Sequence, residues 1–551
     1  MSPRSTQRPR TMAPRTPSQR GRSRQGEAGI ALGIALVVIL ILMLISAALA
    51  NLALSEYLGA ATFDAAGQAL LAAEAGGEWA LARLAADPDW SDNIGQAPGS
   101  PFPFPLPASG IAPVGSVAVE FRRANTLPPA TDIRVRALGT VRGATRTVQF
   151  DAHRLTGADF ILYAVRAVDI SRISGGGSLQ WHGSAYFEQD LILKGGNQAG
   201  FYNDRKVSSS DPGYFNHLYV GGDRSRPGWT LDISTGNPTI GAPYHWVHVR
   251  GTIQGSSTNF NASNLDADVP PPFYPDVLAA IADARGNPGN LLSADKNTLI
   301  ACRWNGSSSS WVRQETPDLE LRDQTVVLPV AGAPCPAPGT SPVQVRSGNQ
   351  YMLLWDPTAS PVNLFLRNPD RPIYVPGKVV IGKDVQYEGK ATIVVGPATA
   401  SGACALDFNE TGQCDGGPTR GHTVRARVSP CQGRPGTDNP ATTYPHTDLL
   451  TVVVNGSAYS DLNANACAQE MDLVVVVGDR ASTARFTIQK KLQWYGVLMA
   501  RELDLRQVPD FWQMPDLASA LPAPFARYVR TTGAPVVVRN WRECLGASDC
   551  R

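Results

Sequence analysis

Two histidines lie close enough together in this sequence to suggest a shared metal ion. His245 and His248 are three positions apart in the segment HWVHVRG. Successive side chains of a β-strand point to opposite faces, so residues three apart lie on different faces. A shared metal ion would therefore require a bulge or a turn between them. We interpret the two residues as separate structural histidines.

A second polar segment is similar to the first half of a calcium-binding EF-hand loop. Asp461, Asn463 and Asn465 alternate along it, and Asp472 stands at the twelfth position. The sixth position, where such a loop uses glycine for its sharp turn, is Ala466. The pattern predicts a polar turn, with a calcium ion near Asp461 as the alternative. No other cofactor is predicted.

No local motif of catalysis is found, and we predict that the protein is not an enzyme. The sequence has no GxSxG, HExxH or P-loop pattern, and Asp266 and Asp268 precede a run of prolines as turn formers. A carbohydrate-active enzyme remains an alternative because paired carboxylates on a β-rich surface need no local motif. The tryptophans that could stack on sugars, or could simply be half-buried, are Trp181, Trp229, Trp304, Trp311 and Trp494.

An uncharged stretch at residues 28–54 must position everything that follows it. As a helix rising about 1.5 Å per residue, it is about 40 Å long, enough to cross a hydrocarbon core of about 30 Å. The arginines that precede it are Arg4, Arg8, Arg10, Arg15, Arg20, Arg22 and Arg24. The positive-inside rule therefore predicts a single-pass inner-membrane protein with a cytoplasmic N-terminus. A cleaved secretory signal ending near Ala50 is the alternative, although its apolar core would span only about 7–15 residues.

The composition of the remaining chain favours strands and turns. Charged residues make up 17% of the sequence, and there are 52 glycines and 44 prolines. The net charge is +2, but the arginine-rich N-terminus supplies more than all of it. The exported part is therefore mildly acidic, and we predict no nucleic-acid partner.

All 8 cysteines lie beyond the apolar stretch. An even number in an exported region is typical of disulfides formed in an oxidising compartment. Neighbours in sequence suggest the pairs Cys404 with Cys414 and Cys544 with Cys550, and the connectivity of the others stays open. Those others are Cys302, Cys335, Cys431 and Cys467.

The helical pattern continues past the membrane stretch until Pro88 ends it. Small residues recur at helical spacing and predict a face that another backbone could approach closely. The residues that we expect to pack this helix are Gly33, Ala35, Ala69, Ala72, Ala73, Glu74 and Gly76.

Several features of residues 22–86 together resemble one family. They are the arginine-rich tail, a glycine before an Ile-Ala-Leu run, a polar break at Ser55-Glu56, and the stretch QALLAAEAG at 68–76. This segment resembles the N-terminus of PilX-type pilus assembly proteins, the minor pilins of type IV pilus systems. The resemblance implies other pilins and pilus assembly proteins as partners, and a place in the inner membrane or on the extracellular pilus.

Processing of the N-terminus is less clearly implied. Major type IV pilins have a glycine at the prepilin-peptidase site and a glutamate at the fifth mature position. Cleavage after Gly29 makes Ile30 the first residue and Ile34 the fifth, and cleavage after Gly26 makes Ala31 the fifth. The glutamate is missing in both cases. The prepilin peptidase is a partner if the leader is cleaved, and a permanent anchor is the alternative.

The rest of the chain predicts a mainly β protein. Alternating segments at 117–153 predict a small antiparallel sheet, and residues 139–148 are similar to a GTV-x-GATRTV stretch of PilX-type proteins. Beyond them, short strands separated by Gly or Asn turns predict an irregular right-handed parallel β-helix, with a β-sandwich as the alternative. Interruptions are expected at 202–229, 399–447 and 259–324, the last with a short helix at 275–284.

These predictions divide the chain into six parts. They are a disordered basic leader (1–27), a transmembrane helix (28–54), its periplasmic extension (55–87), a proline-rich linker (88–114), a pilin-like antiparallel sheet (115–155) and a disulfide-containing β domain (156–551). Three functions are compatible with this order: a minor pilin whose large domain makes tip or adhesion contacts, a membrane-anchored scaffold, and an anchored carbohydrate-active enzyme.

Overall fold

The computed structural model describes most of the chain, and the following account concerns those residues only. They are 25–86, 102–104, 114–123, 132–170, 179–193, 199–202, 216–234, 239–240, 245–255, 265–358, 362–396, 404–409, 411–414, 421–428, 444–463, 470–507, 509–514, 517–529 and 536–544. Most of the predicted leader and linker, and much of the interruption at 399–447, therefore lie outside the described residues.

The structure is mainly β, with one long N-terminal helix. The helices are α1 Gln25–Ala86, α2 Val277–Gly286, α3 Pro342–Arg346, α4 Leu517–Ala520, α5 Ala523–Val529 and a 3₁₀ turn at Gly157–Asp159. Helix α2 lies where a short helix was predicted, and the side chain of Asp276 caps it by accepting a hydrogen bond from Ala279 N at 2.9 Å.

The strands are short and follow one another closely. In the first part of the chain they are β1 Phe102–Phe104, β2 Gly115–Arg123, β3 Asp132–Val141, β4 Ala144–Arg154, β5 Leu162–Ala164, β6 Val168–Asp169, β7 Leu179–His182, β8 Ala185–Phe187, β9 Leu191–Ile192, β10 Ala199–Tyr202, β11 Asn216–Val220, β12 Trp229–Ile233, β13 Thr239–Ile240, β14 His245–Val249, β15 Gly251–Gly255 and β16 Leu265–Asp266. In the second part they are β17 Leu299–Asn305, β18 Ser310–Thr316, β19 Leu319–Leu321, β20 Val326–Pro329, β21 Tyr351–Asp356, β22 Val362–Leu366, β23 Ile373–Val375, β24 Val379–Ile381, β25 Val385–Glu388, β26 Lys390–Val395, β27 Cys404–Asp407, β28 Val424–Ala426, β29 Leu449–Val454, β30 Ser457–Ser460, β31 Glu470–Val477, β32 Phe486–Ile488, β33 Gln493–Ala500, β34 Leu503–Leu505, β35 Asp510–Trp512 and β36 Val536–Cys544.

A small antiparallel sheet follows the long helix. Its order is β1-β2-β3-β4-β36, and β3 and β4 form a hairpin whose turn residues Arg142 and Gly143 have φ values of 48° and 82°. The last described strand, β36, pairs with β4, although the sequence analysis had placed it in the large β domain. Strand β36 is far from β4 in the sequence. The alternation of residues along a strand does not show which distant strand it pairs with.

Helix α1 packs on this sheet through its smallest residues. The core between them contains Ala69, Ala72 and Ala73 of the helix with Val117 and Ala137 of the sheet, all completely buried. Alanines leave little distance between the helix axis and the sheet, so the helix and the sheet approach closely at these residues.

Two glycines set the closest approach. A Cβ atom on Gly139 of β3 would lie 2.1 Å from the carbonyl oxygen of Ala69 and 2.6 Å from the nitrogen of Ala73. A Cβ atom on Gly76 of α1 would lie 2.4 Å from Cγ1 of Val117. The contact at Gly139 is with the helix backbone and the contact at Gly76 is with a valine side chain, and a larger residue could not preserve either.

The remaining strands form a body in which successive coils pair in parallel. From β5 onward a strand pairs with the third strand after it, which gives the ladders β5-β8-β11-β14, β6-β9-β12-β15 and β7-β10-β13. We call the ladder that begins at β5 the first ladder, the one that begins at β7 the second and the one that begins at β6 the third. These coils are the N-terminal stack.

A second set of coils, the C-terminal stack, continues the same three ladders. Strands β23-β26-β29-β31 extend the first, β22-β25-β28-β31 the second, and β24-β27-β30-β32-β34 the third. Its last coil docks on the first coil of the N-terminal stack, because β33 pairs with β5 and β35 pairs with β7. The chain thus enters the body in the middle and returns to the same place.

Residues 269–290 connect the two stacks, and we call them the strap. The strap starts against the N-terminal stack and ends at the far end of the body. The hydroxyl of Tyr186 donates to the carbonyl of Pro270 at 2.6 Å. The hydroxyl of Tyr163 accepts from the nitrogen of Phe273 at 3.0 Å. The strap is thereby hydrogen-bonded to two successive coils.

The strap then continues along the C-terminal stack. The hydroxyl of Tyr274 donates to the carbonyl of Val477 at 2.9 Å, and α2 follows. At the end of the strap, the side-chain amide of Asn290 pairs with both the nitrogen and the carbonyl of Tyr374, at 2.8 and 3.0 Å. An antiparallel meander of β17, β18, β20 and β21 precedes β22 at that end.

Two disulfides lie on the C-terminal side of the body and a third includes a cysteine of the small antiparallel sheet. Cys302 is bonded to Cys335 in the antiparallel meander, and Cys404 is bonded to Cys414, as their spacing had suggested. Cys544 is also in a disulfide, whose partner is outside the described residues. The other cysteines outside the described residues are Cys431, Cys467 and Cys550.

Replacing Gly139 by valine should loosen α1 from its sheet. The new side chain would overlap the backbone of the helix, and overpacking of this kind costs about 1–3 kcal/mol. Hydrogen exchange of the α1 amides at 69–84 should become faster in the full-length protein. Gly67→Ala is the control, because no atom lies within 4 Å of a Cβ atom at that position. Unchanged exchange in the valine variant would show that the close contact is not required.

Candidate functional site

The first half of α1 is apolar and has no neighbour among the described residues. Every residue from 32 to 64 is exposed, including Phe63 at 84%. The helix is long and apolar enough to cross a membrane, with a mean hydropathy of 3.1 in its most apolar window. This exposed segment of α1 is the candidate functional site.

The small residues of α1 divide into two sets. Gly33 and Ala35 lie in the exposed segment, and no atom lies within 4 Å of a Cβ atom at Gly33. Ala69, Ala72 and Ala73 are covered by the chain's own sheet. The sequence analysis had offered all of them for helix packing.

The second set packs against the chain's own sheet and not against another helix. The chain's own sheet approaches it: Gly139 of β3 lies against the backbone of Ala69 and Ala73, and the side chain of Val117 in β2 lies against Gly76. Glu74, from the same predicted set, is half-buried. The exposed segment of α1, in contrast, is open to a neighbouring helix on every side.

The predicted cleavage residues belong to the first turns of α1. Gly26, Gly29 and Ile30 have helical backbone, and their side chains are outside the described residues. Cleavage at either glycine stays a prediction.

An ion pair marks the end of the exposed segment. Asp64 lies 3.6 Å from Arg142 in the β3–β4 turn, between the atoms Oδ2 and NH1, and Gln68 donates to the same carboxylate at 3.1 Å. Both charged side chains are more than half exposed. Such pairs contribute about 0–1 kcal/mol, so this one orients the turn more than it stabilises the fold.

One of the two histidines that were interpreted as separate structural residues has a histidine neighbour on another coil. His248 is buried on β14, and its Nε2 lies 3.0 Å from Nδ1 of His217 on the adjacent coil. The side chain of His245 is outside the described residues. Because the contact joins residues 31 apart in sequence, local spacing could not reveal it.

The acidic residues of the calcium-like segment are used inside the body. Asp461 is buried, which raises its pKa, and Lys490 Nζ lies 3.9 Å from its Oδ2. Asp472 accepts a hydrogen bond from Ala426 N at 2.9 Å, and burial followed by the neighbouring Glu470 raises its pKa well above the usual range. Asn465 and Ala466 are outside the described residues.

Metal ligands and turn formers can be placed only in part. Among the residues that the structure describes, no group of three or more His, Cys, Asp or Glu is arranged to hold a metal ion. Asp268 is exposed just before the strap, as expected for a turn former, and the side chain of Asp266 is not described.

Three of the tryptophans considered for sugar stacking are core residues. Trp181 and Trp494 are completely buried and Trp229 is 7% exposed. They are buried more deeply than either alternative of the sequence analysis, because strand patterns in a body buried on several sides do not separate inside from outside. Trp304 and Trp311 are half-buried on the β17–β18 hairpin, with ring centroids 5.1 Å apart.

A buried charge at the junction of the two stacks was not found from the sequence. Oε1 of Glu188 accepts from Tyr163 at 2.9 Å and from Arg480 at 2.5 Å, and Arg480 belongs to the other stack. Oε2 is buried without a hydrogen-bond partner in the described part of the chain. Burial raises the pKa of Glu188 to about 7, although Arg480 and Tyr163 act to lower it.

Comparisons with known proteins give a weak likeness to a solved structure. No family model matches the chain, and no curated protein matches it. Among solved structures, the chain is similar to the competence-associated pilin ComZ from Thermus thermophilus. The sequences are 15% identical, the match covers 87% of this chain and 97% of that one, and the TM-score is 0.39.

Glu188→Gln should remove a pH dependence of the junction. Because the pKa of Glu188 is raised in the folded protein, its contribution to stability is full below about pH 4.5 and is lost as the pH rises through about 7. From about pH 5 to about pH 8, the wild type should therefore lose protection of the β8 amides relative to the glutamine variant.

Hydrogen exchange of both proteins across this range measures the difference. Glu315→Gln, at a half-exposed carboxylate on β18, is the control and should behave as the wild type. Parallel pH profiles for the wild type and Glu188→Gln would contradict the assignment.

Proposed function

We propose that this chain is a minor-pilin-like subunit of a type IV pilus system. In this proposal the exposed segment of α1 holds the protein in the inner membrane before assembly and packs against other pilin helices afterwards. The observation that carries the proposal is the division of α1 into a fully exposed apolar half and a half bound to its own sheet.

The exposed half requires a partner outside this chain. Large apolar side chains such as Leu44, at 62% exposure, line it on every side. Leaving apolar surface in water costs about 25 cal/mol per Å², so a segment of this size is stable only in lipid or against other apolar helices. In this proposal the membrane covers the apolar surface of the segment before assembly, and a bundle of similar helices covers it afterwards.

The PilX-type resemblance agrees with the contacts of the packed half. The stretch QALLAAEAG contains Ala69, Ala72, Ala73 and Gly76, which form the contact with the sheet. The second resembling stretch, at 139–148, begins with Gly139, which approaches α1 most closely. Both resembling stretches thus supply the two sides of one interface.

We infer that the body is a right-handed parallel β-helix. Its support is the pairing of each strand with the third strand after it, together with the strong preference of parallel crossovers for the right-handed form. The proposed role of this body is to make tip or adhesion contacts outside the inner membrane. The role is that of a filament subunit and not of an enzyme.

One observation favours a second candidate, a permanently anchored scaffold. Ile34 or Ala31 stands where major pilins have a glutamate after cleavage. A protein that keeps its leader would remain in the inner membrane, with the same exposed segment crossing the bilayer.

Ile41→Arg should remove the protein from filaments. Ile41 lies at the middle of residues 28–54 and is 47% exposed, and an arginine at mid-membrane costs about 2.5–3.5 kcal/mol on insertion scales. The amount of the protein in sheared surface filaments, measured by immunoblot, should fall to a small fraction of the wild-type amount.

Leu71→Arg is the matched control. Leu71 is also an exposed apolar residue of α1, at 58%, but it lies beyond the predicted membrane segment. This variant should reach filaments as the wild type does. Normal incorporation of the Ile41 variant would argue against the proposed use of the exposed segment.

A further inference from the structure

The junction of the two stacks is closed on two ladders and open on the third. Backbone pairing joins β33 to β5 and β35 to β7. On the third ladder, β34 ends one sheet and β6 ends another, without pairing between them among the described strands. A cleft of about 910 Å³ lies there, at the upper end of the volumes of small-ligand sites.

The lining of the cleft is polar and balanced in charge. It includes three glutamines from different segments and the two leucines of β34. The lining also contains equal numbers of arginines and carboxylates. The charged residues are Arg166, Arg485, Arg506, Asp169, Glu502 and Asp504. Their formal charges cancel.

Part of this lining is held in place by its own hydrogen bonds. Nε of Arg506 donates to Asp504 at 3.1 Å, and NH1 of Arg506 donates to Gln489 at 3.1 Å. Across the cleft, Gln189 accepts from the nitrogen of Ala167 at 3.2 Å. Planar polar groups fixed in this way can pair with a ligand at a lower entropy cost, because they do not have to become ordered when it binds.

The dimensions of the cleft exclude one class of ligand. Cα atoms of β34 and β6 approach within 8 Å of each other. A peptide strand inserted between them would need two strand spacings, about 9.6 Å in all. The ligand must therefore lie on the side chains and not complete the sheet.

The charge and polarity exclude two further classes. Nucleic acid binds where positive charge is in excess, and here the charges cancel. A lipid chain needs a mainly apolar pocket, whereas the apolar lining is confined to Ala167, Leu503 and Leu505. A neutral molecule rich in hydroxyl groups remains.

We propose that this cleft binds a short neutral oligosaccharide. Its hydroxyl groups pair with the arginine, glutamine and carboxylate side chains, which accept and donate from both walls of the cleft. The proposal assigns a ligand site to the body and does not depend on whether the chain enters a filament.

Binding can be measured on the full-length protein in lipid nanodiscs, which avoid sugar-based detergents. The probes are short malto-, cello-, xylo- and N-acetylchito-oligosaccharides, with oligogalacturonate as the acidic comparison, observed by saturation-transfer NMR and calorimetry. At least one neutral series should bind with a dissociation constant of about 1 mM or below, and oligogalacturonate should not.

The double variant Asp504→Ala, Arg506→Ala tests the location. It should weaken binding at least about tenfold, which is a difference of about 1.4 kcal/mol. The matched control is Arg313→Ala, Glu315→Ala, which removes an exposed pair of the same spacing on β18, 2.9 Å apart. The control should bind as the wild type does.

Two results would overturn the proposal directly, and a third would contradict its argument from charge. One is the absence of binding by every neutral series at concentrations well above 1 mM. The other is binding that the Asp504, Arg506 variant leaves unchanged while its circular dichroism equals that of the wild type. Preferential binding of oligogalacturonate would also contradict the argument from balanced charge.

Discussion

The contact between Gly139 and the backbone of α1 is the constraint on which the arrangement of this protein depends. It brings the strand to the carbonyl of Ala69 and the nitrogen of Ala73, at distances that no side chain could enter. Because the second half of the helix is fixed in this way, the first half must leave the sheet as a single rod. The rod is apolar on every side. Fixing one end of α1 to the sheet therefore leaves an exposed apolar surface at the other end.

The large body follows a second constraint, which is that stacked coils must not leave open edges. The chain satisfies this at the junction by docking its last coil against its first, through the pairing of Leu498 with Leu162 and of Phe511 with Trp181. The strap makes this possible, because it carries the chain from one stack to the far end of the other while packed against both. Among the described strands, the third ladder is left unpaired at the junction, and the cleft is the result.

The sequence was informative where local pattern determines structure. Uninterrupted apolar character predicted the long helix, and alternation with a Gly-containing turn predicted the β3–β4 hairpin, where Arg142 and Gly143 adopt positive φ. Short strands between turns predicted a mainly β body. These features depend on residues close together in the chain.

Contacts between distant residues could not be predicted in this way. The pairing of β36 with β4, the contact of Glu188 with Arg480 and the neighbourhood of His217 and His248 all join separate segments. The small residues at 69–76 show the same limit, since their spacing indicated a close partner but not that the partner was β3. Burial of Trp181 and Trp494 likewise depends on which coils stack on them.

The most direct test of the filament proposal is the N-terminal sequence and mass of the protein recovered from cells. Both sheared surface filaments and membranes should be sampled. The proposal predicts a protein in the sheared fraction that begins at Ile30, or at Glu27, with the exposed segment intact. A protein found only in membranes, with its arginine-rich N-terminus retained, would contradict a filament subunit and favour the anchored scaffold.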